Sequence, residues 1–286
     1  MYSVREEAGV WILQSERDQG RATVLPERGG ILLSWDIGTK DILYLDRERF
    51  ANPALSIRGG IPLLFPICGN LVDDTYTWGG QSYKLSQHGF ARNLPWTVSH
   101  YSTNDGASIT LTLTHNDQTL AVYPFPFQLD YTYILRPQTL ELRCRHTNLG
   151  KTPLPFATGI HPYFLAPDKT QLHFHIPAQQ YIPKGENKPQ PFQGELDFER
   201  PEIDIAFMPL TGQRATVTDR ARQLELTISY DQHYTTLIFW TVQGKDFYCL
   251  EPWSAPRNAL NTGENLLTLP PGESLETVVT MEVKFL

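Results

Sequence analysis

Cysteine is scarce: Cys68, Cys144 and Cys249 are the only three in 286 residues. So few thiols, so widely spaced, make neither a disulfide framework nor a structural zinc site. They read as free thiols in a reducing compartment, and a cytoplasmic protein is expected. Long apolar runs are also missing. No stretch approaches the roughly 20 residues needed to span a bilayer. The opening Met1-Tyr2-Ser3-Val4-Arg5-Glu6-Glu7-Ala8 has no basic start leading into an apolar stretch, so no secretory leader is expected. Basic runs are absent too. The 24 lysines and arginines are scattered against 31 acidic residues, for a net charge of −7. That argues against a nucleic-acid or anionic-membrane surface. Nor is there helical periodicity over ten or more residues. The 22 prolines and 20 glycines are spread evenly and would interrupt long helices.

What is present is alternation with period two. Ser108 to His115 reads Ser-Ile-Thr-Leu-Thr-Leu-Thr-His, which sends Ile109, Leu111 and Leu113 to one side and threonines to the other. Leu224, Leu226 and Ile228 repeat the pattern. Thr236 to Val242 is rich in β-branched and aromatic residues, as a buried strand should be. Leu275 to Leu286 alternates loosely. Turn signals separate these runs: Gly29-Gly30, Gly59-Gly60, Gly79-Gly80, Asn104-Asp105-Gly106 and Pro270-Pro271-Gly272. Many short strands with regular turns predict an all-β antiparallel sandwich or barrel. No linker, repeat or low-complexity segment divides the chain, so residues 1–286 are expected to form one domain. The polar, proline-rich stretch from Pro183 to Pro201 is long for a loop and marks either a cleft edge or an excursion from the fold.

Four segments break the strand pattern. Arg58-Gly59-Gly60-Ile61-Pro62 leads into Phe65-Pro66, a rigid irregular backbone suited to close approach of a ligand. His88-Gly89-Phe90-Ala91-Arg92 places a histidine before a glycine. Arg92 reads first as an internal ion-pair partner. Gly159-Ile160-His161-Pro162-Tyr163-Phe164 holds His161 in extended geometry before a proline. Phe247 to Trp253 ends an apolar strand with Glu251. A carboxylate there is costly unless it is paired or used with a raised pKa. Trp253 suits either a sugar face or a core. His173 and His175 share a strand face at a spacing that can bind metal, but no third ligand flanks them, and no metal is expected.

Histidines, a partly buried glutamate and an arginine suit proton transfer at a sugar hemiacetal. A base takes the anomeric hydroxyl proton, an acid protonates the ring oxygen, the ring opens, and closure on the other face gives the other anomer. Two positioned groups suffice, without cofactor or metal. Other chemistries lack their marks: there is no Gly-x-Ser-x-Gly elbow, no His-Glu-x-x-His pair and no glycine-rich phosphate loop.

At these same segments the chain resembles the aldose 1-epimerase, or galactose mutarotase-like, family. The matches are Arg58-Gly-Gly-Ile-Pro with Phe65-Pro66, His88-Gly-Phe-Ala-Arg92, Gly159-Ile-His161-Pro-Tyr-Phe164 and Leu250-Glu251-Pro252. They occur in the family's order, and the pattern is most similar to the hexose-6-phosphate mutarotase branch. The resemblance implies a large antiparallel β-sandwich of the supersandwich type. It implies Glu251 as general base and His161 as general acid, facing each other across a pocket one pyranose wide. It also implies substrate contacts from His88, Arg58 and Asp204. The implied partner is a hexose or hexose phosphate, bound by a monomer or weak homodimer. Asn70 departs from the pattern, since many relatives carry an arginine near that position. Two other readings suit the same features: a carbohydrate-binding module without turnover, and hydrolysis using Asp204 and Glu251 as a carboxylate pair.

Overall fold

The computed structural model describes residues 1–52, 55–186 and 188–286. Among them, two eight-stranded antiparallel sheets carry most of the fold. The first runs in the order Leu172–His175, Arg214–Asp219, Leu224–Tyr230, Ser274–Phe285, Thr139–Asn148, Phe127–Arg136, Ala107–Thr114 and Thr97–Ser102. In the second, Glu202–Phe207, Thr236–Val242 and Phe247–Trp253 lie side by side at the centre. A five-stranded sheet spans Tyr2–Glu7 to Lys40–Asp41. The described helices are short turns, the longest being Asp117–Val122. No described helix is long and apolar enough to cross a membrane.

Alternation explains the first sheet. Ile109, Leu111 and Leu113 are buried, while Thr110 reaches across the opposite face to Thr132, 2.9 Å between hydroxyl oxygens. Neighbouring strands do the same with Tyr131, Leu142, Leu226 and Val279, so the sheet has one apolar face. That face packs into one core with Leu13, Val24 and Trp35 of the five-stranded sheet and with Ile205, Phe239 and Leu250 of the second large sheet. The three cysteines are buried and free, as expected. His173 and His175 are exposed on an edge strand.

The second sheet differs because both of its faces are covered. All seven residues of Phe247–Trp253 are buried. Tyr248 and Leu250 enter the main core, and Cys249 and Trp253 pack in separate clusters on the other face. Alternation assigns Glu251 to that same other face. In the neighbouring strands, Leu237 and Phe239 point to the core while Ile238 and Trp240 point away. Likewise Ile203 and Ile205 face inward, with Asp204 between them. The register sets Ile238 opposite Glu251 and Asp204 opposite Trp240. One side of three strands thus builds the core and the other presents a mixed polar and aromatic surface.

The Gly59-Gly60 pair is more than a turn. Gly60 has φ +61°, its N–H donates to the Tyr44 carbonyl at 2.8 Å, and a Cβ there would overlap the Leu32 carbonyl oxygen. Gly79, by contrast, has φ +56° in a hairpin turn with nothing near its missing Cβ. Gly60→Ala is therefore expected to cost about 2 to 4 kcal/mol, from left-handed strain plus overlap. Gly79→Ala carries the strain alone, about 1 kcal/mol. Urea unfolding of the two variants checks the difference; equal midpoints would mean that the contact at Gly60 is readily relieved.

Candidate functional site

The polar face of those three strands forms the floor of a cavity of about 250 Å³. Small-ligand pockets commonly hold about 300 to 1,000 Å³, so this one suits a compact polar molecule. Arg58, His88, His161, Asp204 and Glu251 all line it. Residues nearly two hundred positions apart are thus brought to one opening.

His161 is delivered by a short bridge. Gly159–Ile160 pairs with Leu63–Leu64, the His161 N–H donates to the Pro62 carbonyl at 3.0 Å, and Tyr163 pairs with Cys249. The imidazole stacks on Tyr163 with centroids 4.8 Å apart. Its Nε2 lies 3.3 Å from Glu251 Oε1. The two groups therefore touch side by side at the floor, where the sequence reading set them apart across the pocket. The strand register brings them together: Tyr163 sits opposite Cys249, so both neighbouring side chains converge on the same face. The other Glu251 oxygen, Oε2, accepts the Trp253 indole N–H at 3.1 Å.

Burial sets the protonation of this pair. It pushes the Glu251 carboxyl well above the usual carboxylate range, and the nearby Asp204 charge adds to the effect. It pulls the His161 imidazole down to about 3, with the Arg92 charge as the next cause. Both shifts favour a protonated carboxyl beside a neutral imidazole. The pair thus carries one proton, and burial favours it on the carboxyl.

His88 is oriented from behind. Its N–H donates to the Gly69 carbonyl at 2.7 Å, and the Gly69 N–H donates to its Nδ1 at 3.1 Å. An Nδ1 that accepts leaves the neutral ring with its proton on Nε2, a donor available to a ligand. The residue has φ +67°, a left-handed conformation costing about 1 to 2 kcal/mol. The ring stands 5.5 Å from both the His161 and Trp253 rings, and burial holds it neutral.

The cations fall into two groups. Asp204 accepts from Arg257 Nη2 at 2.7 Å and pairs with Lys184 Nζ at 3.0 Å, so each of its oxygens is engaged. Arg58 and Arg92 make no ion pair among the described residues. Arg58 lies over the Trp240 ring at 5.8 Å. Arg92 donates to the Gln87 carbonyl at 2.9 Å, and its buried Nε has no hydrogen-bond partner among the described residues. The expectation of an internal ion pair for Arg92 is thus corrected, because no described carboxylate lies within reach of its guanidinium. Asn70 does not line the cavity, so its departure from the family pattern lies outside the pocket wall.

Trp240, Lys184 and Arg257 line the cavity and were not singled out from sequence. Trp240 was hidden in a strand read as wholly buried. Lys184 opens the polar stretch after Pro183, which does form a cleft edge at that point; Asn187 within it lies outside the described residues. His161, Cys249 and Glu251 bring a nitrogen, a sulfur and an oxygen within 4.8 Å of one another, the one such trio among the described residues. Burial raises both the Cys249 thiol and the Glu251 carboxyl, so a cation would have to displace two protons beside Arg92 and Arg257.

A family model described as aldose 1-epimerase matches residues 12–282. The chain belongs to the aldose 1-epimerase family. A solved relative, the Slr1438 protein of Synechocystis sp. PCC 6803, is 42% identical, covers both chains fully and superposes with a TM-score of 0.96. A galactose mutarotase-like protein of Clostridium acetobutylicum, 19% identical over 100% of this chain and 99% of its own, superposes with a TM-score of 0.82, a likeness of fold. An Escherichia coli (strain K12) protein provisionally named glucose-6-phosphate 1-epimerase is 36% identical over 161 residues, 55% of this chain and 49% of its own. The aldose 1-epimerase fold is thus the expected antiparallel one.

The shifted groups imply a pH signature. Unfolded, Glu251 returns to an ordinary value near 4.5. Folded, it keeps its proton to much higher pH, so it contributes stability below about pH 4.5 that is lost as pH rises. His161 and His146, held near 3 and 4, work in the opposite sense, with stability lost as pH falls below about 6.5. Glu251→Gln removes only the first effect. Its Tm relative to the unmodified protein is expected to climb from pH 5 to pH 8 in scanning calorimetry. A constant difference would mean that the carboxyl titrates normally.

Proposed function

We propose that this protein is an aldose 1-epimerase, a mutarotase interconverting the α and β anomers of an aldohexose carrying an anionic group such as a 6-phosphate. The observation that carries the reading is the buried contact of 3.3 Å between Glu251 and His161 at the floor of a sugar-sized cavity. One shared proton makes the pair one acid and one base at once. With Glu251 as carboxylate and His161 as imidazolium, Glu251 accepts the proton from the anomeric hydroxyl and His161 donates to the ring oxygen. The C1–O5 bond breaks, the aldehyde turns about C1–C2, and the C5 hydroxyl adds to its other face as both protons return. His88 Nε2–H supports negative charge developing on oxygen.

Local charge supports an anionic sugar. Asp204 is matched by Lys184 and Arg257, and Glu202 at the wall accepts from the Trp240 indole, which leaves Arg58 and Arg92 without an ion pair among the described residues despite the acidic net charge of the chain. An anion against Arg92 would also cancel one cause of the low His161 pKa. The same Arg92 charge also lowers the Glu251 carboxyl, but it is the leading charge cause at His161 and the last one at Glu251, so an anion there acts first on the imidazole. The engagement of both Asp204 oxygens speaks against a free carboxylate pair for hydrolysis.

Polarimetry on freshly dissolved α-D-glucose, α-D-galactose and glucose 6-phosphate tests the proposal. The protein should accelerate mutarotation over buffer, and Glu251→Gln should lose about 10²- to 10⁴-fold in rate. Arg58→Ala should raise KM for the phosphorylated sugar by about tenfold and affect glucose less. Binding by calorimetry without acceleration would instead mark a carbohydrate-binding module.

A further inference from the structure

The segment after Glu251 contains a residue that touches three supports of the site: Asp204, Trp253 and Gly69. Arg257 donates to Asp204 Oδ1 at 2.7 Å. Its guanidinium lies 5.2 Å over the ring of Trp253, whose indole N–H holds Glu251 Oε2. Its stem runs against Gly69, where a Cβ would overlap Arg257 Cγ. Gly69 is the residue whose N–H and carbonyl fix the His88 ring and backbone. Gly69 has φ +72°, so both its conformation and this contact exclude a larger residue.

We propose that Arg257 is the positioning residue of this site, one side chain that orients Asp204, Trp253 with Glu251, and the Gly69–His88 turn together. The inference rests on the epimerase reading for its kinetic part only. Two features favour position over simple stability. Arg257 Nε is buried without a hydrogen-bond partner among the described residues, an arrangement that costs stability rather than adding to it. Its charge also stands among groups that set the proton on Glu251. Those groups are Asp204, two strands away across the sheet, Arg92 from beyond His88 and the Trp253 indole; His161 touches the carboxyl, and the Cys249 and Cys68 thiols face it. Asp204 and Arg257 act on the carboxyl with opposite sign, and their contact at 2.7 Å makes the two effects a matched pair. Lysine would keep the charge but not the planar fork that bonds Asp204 while stacking on Trp253.

The test uses Arg257→Met and Arg257→Lys in the full chain, with the Glu251 carboxyl followed by carbon-13 NMR titration of the unliganded protein. Arg257→Met should move the Glu251 midpoint to higher pH, and the acid limb of kcat/KM should move with it. KM should rise by about tenfold. Arg257→Lys should restore the midpoint but not KM. An unshifted midpoint in Arg257→Met with wild-type near-ultraviolet circular dichroism overturns the proposal, whether or not sugar is turned over. A shifted midpoint in a protein that does not accelerate mutarotation supports the positioning role and overturns the functional reading instead. Arg257→Gln, uncharged but still a donor to Asp204, gives the same readout if the methionine variant does not fold.

Discussion

A carboxyl group sits almost wholly buried in a strand at the floor of a cavity, and the rest of the site follows from that. Glu251 is 1% exposed. A bare carboxylate there would carry a desolvation penalty of several kcal/mol, so the group keeps its proton or finds compensation. Its neighbours supply what compensation exists: an indole N–H on one oxygen, an imidazole on the other, and arginine charges further out. No guanidinium or ammonium lies within ion-pair reach of it among the described residues. Close pairing with an arginine would have held the carboxylate in its charged form. A histidine partner leaves the proton free to move.

The same strand explains why the fold tolerates this. Tyr248 and Leu250 anchor it in the main core, and Cys249, Glu251 and Trp253 are left for the other face. Changes on the polar side leave the core side untouched, because successive residues of a strand point oppositely. Asp204 between Ile203 and Ile205, and Trp240 beyond Phe239, obey the same rule. A sheet covered on both sides thus serves as a core wall and a cavity floor at once.

This division also decides what could be read from sequence. The strands of the first sheet were legible because one face is wet and the alternation is clean, as in Ser108 to His115. The strand from Thr236 to Val242 was legible as a strand but not as a cavity wall. When both faces are covered, an aromatic on the cleft side looks like one on the core side, and Trp240 was lost that way. His161 and Glu251 stood out because their surroundings make poor homes for polar groups. Their direct contact was not legible, since it depends on Tyr163 pairing with Cys249 across 86 residues of chain. Arg257 gave no signal at all: a lone arginine in an irregular segment acquires meaning only when Asp204, Trp253 and Gly69 are folded against it. Arg92 was misread because arginine in an apolar segment usually has a carboxylate, and here it has a carbonyl.

Charge balance ties these observations together. The chain as a whole is acidic, yet the cavity concentrates arginine and lysine around a carboxyl that is itself protonated. Of those cations, the two paired with Asp204 are structural in the sense that their charge is already answered. The two at Arg58 and Arg92 are not, and Arg92 is the larger charge influence on His161. An arriving anion therefore does two things at one position. It answers an unpaired guanidinium, and it lifts a penalty on the imidazolium 3.3 Å from Glu251. On the epimerase reading, substrate charge is then coupled to the proton of the pair, through an Arg92 charge that bears on His161 first and on Glu251 last.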